Sequence, residues 1–121
     1  MDLDIAREFL KGSELALDNE LCRPAVANAY YAMFWGARAV LKHIGITREE
    51  WSHGGLQHAF GAEIVKKRSL MPRHTGQWLH TGYDLRRKAN YNLEGVGAKE
   101  SRRMVHHASD FDATIAEVIE R

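Results

Sequence analysis

Residues 24–45 read PAVANAYYAMFWGARAVLKHIG, and their spacing is that of a helix with apolar side chains on most of its sides. Val26, Tyr30, Met33, Ala37, Val40 and Ile44 recur at helical steps and form one broad stripe. Ala25, Ala29, Ala32, Gly36 and Ala39 form a second stripe of small residues, which lets another helix approach closely, from the same chain or from a second copy. Pro24 suits a first turn, where its missing N–H does no harm. Gly45 follows the last apolar residue, and Lys42 and His43 fall in the final turn, so the helix is expected to stop there. A helix that is apolar nearly all round belongs in the middle of a bundle.

The same period continues outward in both directions. Leu3, Ala6, Leu10, Ser13 and Leu17 mark a first helix from about Asp2 to Leu17, with Asp2 and Asp4 at the positive end of its dipole. After Gly45, Thr47-Arg48-Glu49-Glu50 has capping-box spacing and predicts a short helical turn. A third helix is expected from His53 to Lys67, with Ser52 as its N-cap and Leu56, Phe60 and Ile64 inward. Pro72 breaks the chain. A fourth helix runs from about His74 to Tyr91, and Asn92 to Gly97 form a loop. A last helix runs from about Ala98 to Ile119, with Val105, Ala108, Phe111, Ile115 and Val118 buried. No alternating strand pattern, repeat or linker interrupts residues 1–121. The expectation is one all-α domain, an up-and-down four-helix bundle with a short additional helix.

Composition narrows the functional classes. The chain has 45% hydrophobic and 27% charged residues, near globular averages. Its one cysteine, Cys22, has no internal partner and fits a reducing cytoplasm. The acidic start MDLDIAREFLKG does not look like a signal peptide. The most apolar stretch, Ala25 to Val40, is too short and polar for a membrane span, so a cytoplasmic protein with no membrane contact is expected. Charge is uneven: residues 1–64 carry −3, residues 65–107 carry +7 and residues 108–121 carry −3. The basic middle either packs beside acidic helices or offers a surface to an anionic partner such as RNA or a nucleotide. No pair among the seven histidines has the i, i+4 spacing of a zinc helix, so neither a metal nor another cofactor is expected.

Arg86 is the most informative single residue. Leu79, Gly82, Tyr83, Arg86 and Asn90 share one face of the fourth helix, which begins apolar and ends in a guanidinium and an amide. An inward arginine needs partners, because an isolated desolvated charge is costly. Two readings fit: a buried salt bridge to an acid on a neighbouring helix, or a cleft arginine whose fork of donors holds phosphate. Tyr31, Trp35, Arg38 and Lys42 share another face of the second helix. They form either an aromatic and cationic wall suited to stacking and phosphate contact, or core with snorkelling stems. His53 lies in Ser52-His53-Gly54-Gly55 at a helix start, where anions bind, although the segment lacks the length and lysine of a P-loop.

Two stretches, Ala27-Asn28-Ala29-Tyr30-Tyr31-Ala32-Met33-Phe34-Trp35 and Tyr83-Asp84-Leu85-Arg86-Arg87-Lys88-Ala89-Asn90-Tyr91, together with the His53 segment between them, resemble the HEPN superfamily in its small stand-alone prokaryotic branch. The resemblance implies a helical bundle that forms a homodimer, with a cleft lined by the arginine segment. It also implies a setting beside a minimal nucleotidyltransferase in a toxin–antitoxin pair, whose toxic members cleave RNA without a metal. Arg86 matches the family's motif arginine, and Arg87 stands beside it. The ribonuclease form of the motif has a histidine separated from that arginine by four to six residues. Here those positions run from Tyr91 to Leu93, and none is histidine. Tyr91 stands in the nearest of them, and Asn90 stands where this branch usually has aspartate. The resemblance thus marks Arg86, Asn90 and Tyr91 as catalytic candidates, with Arg86, Arg87, Tyr31, Arg38 and His53 as ligand-binding candidates. Tyr91 is also a candidate acceptor for adenylylation by the partner. A purely structural role, with Arg86 paired to an acid, is the remaining reading.

Overall fold

The apolar helix is the middle of the molecule. In the computed structural model, which describes residues 2–121, it runs as α2 (Cys22–His43) between α1 (Asp2–Asp18) and α3 (His53–Ala59). The third helix continues without a break into a π-helical segment (Phe60–Lys67), followed by α4 (Arg73–Tyr91) and α5 (Ala98–Glu120). No strand occurs among the described residues, and none of their helices is long and apolar enough to cross a membrane. α1, α2, α4 and α5 form the up-and-down bundle. Phe9 meets Tyr31 while Asp2 meets Arg38, so α1 and α2 are antiparallel. Lys88 meets Glu100 while Trp78 meets His107, so α4 and α5 are antiparallel too.

Both α2 stripes are buried, and the small-residue stripe has a partner from the same chain. A Cβ on Gly36 would collide with Asp112 Oδ1 and lie 3.6 Å from Phe111 Cε1, so this glycine lets α5 settle directly on α2. Phe60 from the π-helical segment stacks on Phe111 at 5.4 Å and closes the core from the other side.

The chain signals act largely where they were read. Gly45 has φ +90°, which favours glycine. Ile46 N–H donates to Leu41 O (2.9 Å) and Gly45 N–H to Lys42 O (3.0 Å), the Schellman pattern that ties off a helix end. Ser52 Oγ accepts the Gly55 N–H at 3.0 Å and caps α3. α2 begins two residues before Pro24, which still lies in its first turn. Residues 47–50, in contrast, are not helical. Arg48 lies over the Trp51 ring at 4.4 Å, and Glu49 and Glu50 are exposed, so no apolar face rewards a turn there. The π conformation of Phe60–Lys67 has a packing logic. Leu56, Phe60 and Ile64 are four residues apart and all fully buried. In an α-helix such a spacing overshoots a full turn by about 40°, and the wider π turn falls short of one, so the two segments in succession keep the three side chains near one face.

Candidate functional site

α4 approaches α2 closely at Gly82, where a Cβ would lie 2.6 Å from Met33 Cε and 3.3 Å from Met104 Sδ. That approach brings Tyr30 and Tyr31 of α2 against Tyr83 and Arg86 of α4. The Arg86 guanidinium carbon lies 5.5, 5.6 and 5.4 Å from the ring centres of Tyr30, Tyr31 and Tyr83, within cation–π range of all three. Arg86 Nη1 donates to the Tyr31 hydroxyl at 3.2 Å, and Nε is buried with no partner. Among the described residues no carboxylate lies within ion-pair distance of Arg86. The nearest acid in sequence, Asp84, sits 3.4 Å from His80 Nε2 instead. Three electron-rich ring faces and one hydroxyl therefore hold the cation, and part of its donor fork is unused.

His53 enters from the start of α3. Its ring stacks on Tyr83 at 3.8 Å with 9° between planes, and lies 6.0 Å from the His80 ring. Its Nδ1 is 3.0 Å from the Tyr30 hydroxyl, and either group can donate according to which ring nitrogen carries the proton. His53 Nε2 is buried and has no partner. Burial first, then His80 and Arg86, hold the His53 imidazole below its usual pKa, against an upward pull from Asp84. Burial pushes the Tyr30 phenol well above its usual value, so it keeps its proton at neutral pH.

The other candidates lie around or away from this cluster. Arg87 is exposed, 5.9 Å from the Tyr83 ring centre. Asn90, one turn beyond Arg86, is exposed, and Tyr91 is 79% exposed at the end of α4. Arg23 anchors that end by donating to Ala89 O (2.6 Å) and Leu93 O (3.0 Å). Arg38 belongs to a different neighbourhood: it lies over Trp35 at 4.3 Å and 3.6 Å from Asp2. The structure thus brings Arg86, Tyr31 and His53 together, with Arg87 at the edge, and leaves Arg38 two turns along α2. Tyr30, Tyr83 and His80 complete the cluster without having been singled out as site residues. Tyr30 reads as core in the α2 stripe, and His80 joins only through the placement of α3 beside α4. No group of three or more potential ligands is arranged for a metal among the described residues.

The sequence compares with known proteins over most of its length. The HEPN domain pattern matches residues 2–118. A candidate toxin of Methanocaldococcus jannaschii is 30% identical over 109 residues, which are 90% of this chain and 79% of that protein. A UPF0332 protein of Thermotoga maritima is 31% identical over 86 residues, 71% of this chain and 63% of that protein. With the all-helical bundle and the arginine cluster on α4, the match makes this chain a member of the HEPN domain family.

Proposed function

We propose that this protein is the toxin-like member of a two-protein pair, binding an RNA or nucleotide phosphate at Arg86 and working beside a cognate nucleotidyltransferase. One observation carries the reading: Arg86 is held by three tyrosine rings and one of their hydroxyls, with no carboxylate among the described residues to neutralise it. A guanidinium with unused donors suits a phosphate oxygen better than it suits a closed core. The similarity to a candidate toxin supports the biological setting. Titration of a labelled oligoribonucleotide against wild type and Arg86→Ala tests it. Loss of one charge-assisted contact, about 1.5–3 kcal/mol, predicts at least about tenfold weaker binding. Equal binding by both proteins would overturn the reading.

A second reading, metal-independent RNA cleavage, is favoured by His53, which shares Tyr83 with Arg86, and by His80, whose ring lies 6.0 Å from that of His53. In that reaction the 2′-oxygen attacks phosphorus as one imidazole takes its proton. The bond to the 5′-oxygen breaks as the other imidazole supplies a proton, leaving a 2′,3′-cyclic phosphate and a 5′-hydroxyl. His53 and His80 then take the part of the histidine missing between Tyr91 and Leu93, and Arg86 stabilises the charge on the phosphoryl oxygens. Cleavage in EDTA that disappears in Arg86→Ala and falls in His53→Ala supports this reading. Cleavage unchanged in both variants sinks it.

The homodimer belongs to the same proposal. A groove of about 630 Å³ along α1 is lined by Ile5, Phe9, Gly12 and Leu15, and Leu15 is 54% exposed. Phe9 touches Tyr31 at 5.3 Å, so a second copy covering this groove adjoins the Arg86 cluster. Leu15→Glu is expected to shift a dimer towards monomer in sedimentation; an unchanged dimer would refute this choice of face.

A further inference from the structure

A groove of about 580 Å³ runs between the third helix and α4, on the side of α4 that carries His80. Gln57 and Gly61 line one wall and Gly76 and His80 the other, with Lys66 and Arg73 also bordering it. No acid lines it. Glu63, the acid on the neighbouring π turn, is taken by Lys67 (3.8 Å) and Arg68 (3.7 Å). Among the described residues neither Lys66 nor Arg73 has a carboxylate within ion-pair distance, and both are exposed.

The groove and the arginine cluster adjoin at His80. This residue borders the groove and also faces the His53 ring, which shares Tyr83 with Arg86. Arg86 and Arg73 are thirteen residues apart on one helix, about 20 Å along its axis. That span suits several linked nucleotides rather than one. A Cβ at Gly61 would meet nothing within 4 Å, so a longer side chain there has room to project into the channel. Gln57 Nε2 donates to Gly76 O at 2.8 Å and ties the two walls together, while its buried Oε1 has no hydrogen-bond partner among the described residues. The π-helical segment supplies Gly61 and Lys66, and such departures from α geometry recur at functional sites.

We infer that this groove is an extended subsite for single-stranded RNA, in which Lys66 and Arg73 hold a phosphate of the same strand whose other phosphate lies at Arg86. The inference rests on the phosphate-binding reading of Arg86 and adds to it a substrate class, a direction along α4 and two further binding residues. RNA is favoured over a protein partner because the groove combines unpaired cations, an absence of acids among the described lining residues and a shared edge, His80, with the arginine cluster.

The test uses the full chain with two probes, a dinucleotide and a single-stranded oligoribonucleotide of about ten nucleotides. Lys66→Ala with Arg73→Ala removes the cations, and Gly61→Leu fills the channel without changing charge. For the long probe the double variant is expected to bind at least about tenfold more weakly. Its salt dependence should flatten by about 0.7 in log–log slope, for one lost phosphate contact. Gly61→Leu weakens the long probe as well, and the dinucleotide is unaffected by either change. Long-probe binding unchanged in the double variant, while Arg86→Ala still abolishes dinucleotide binding, overturns the groove and leaves the Arg86 site standing. Binding of both probes unchanged in Arg86→Ala overturns the reading on which the groove rests. Unchanged RNA binding with loss of nucleotidyltransferase binding in the double variant makes the groove a protein surface and also overturns the inference. Melting temperatures equal to wild type assign the losses to binding, since Lys66 and Arg73 are exposed.

Discussion

Two ionisable residues stand at and in this core under opposite constraints. The half-buried Arg86 guanidinium is held by aromatic faces and a hydroxyl. Asp112 has no such help: it is 3% exposed, and neither of its oxygens has a hydrogen-bond partner. Burial pushes its carboxyl up to about 8, against a weaker downward pull from Arg7. A carboxyl whose folded pKa is raised contributes stability that is full below its unfolded pKa and is lost as pH rises through about 8. Asp112→Asn is therefore expected to be more stable than wild type at pH 8, by about 1–3 kcal/mol, with the advantage shrinking towards pH 4. Thermal melts across pH check this. His53 has the opposite sign: with its folded pKa lowered, its protonation costs stability as pH falls below about 6.5. Because Arg86 lowers that pKa, Arg86→Ala should move the His53 titration, followed by NMR, to higher pH. An unmoved titration would mean that the two groups are not coupled. The sequence places Arg86 on an inward face but does not show which partners it finds, and the burial of Asp112 emerges only from the packing of α5 on Gly36.

At the scale of the helix, the legible features are those whose cause is local. Gly45 ends α2 because a left-handed residue is needed there, and Ser52 starts α3 because its hydroxyl meets a free N–H. Gly45→Ala is expected to cost about 1 kcal/mol, measured by denaturant unfolding, since an alanine takes up the φ of +90° only with strain. Features that depend on a neighbouring helix were not legible. The π-helical turns go with the burial of Ile64 in the core and of Phe60 against Phe111 of α5, and residues 47–50 lack the buried face that their capping pattern presupposed. Arg23 is a further case. Read alone it is a charged residue beside Pro24, yet it ties two carbonyls at the end of α4. Arg23→Ala should loosen the segment that carries Asn90 and Tyr91, seen as faster amide exchange there and not in α2. Uniform exchange would show that the anchor is dispensable.

For the whole molecule, the helical period in residues 24–45 decides the architecture, because a helix buried on most sides requires helices around it. The site depends on longer-range facts: the depth at which Gly82 lets α4 settle, and the side from which α3 brings His53. Tyr30, Tyr83 and His80 join Arg86 only once those are fixed. The charge asymmetry acquires a location in the same way, since Lys66, Arg73, Arg86 and Arg87 all belong to the basic middle of the chain. The central claim is that Arg86 and its tyrosines form a phosphate site. Its most direct test is an NMR titration of the wild-type protein with a dinucleotide, reading the side chains of Arg86, Tyr31, Tyr83 and His53. The account predicts that these signals shift first and saturate together. Saturating shifts elsewhere, for instance at the Trp78–His107 stack between α4 and α5, with the arginine cluster silent, would contradict it.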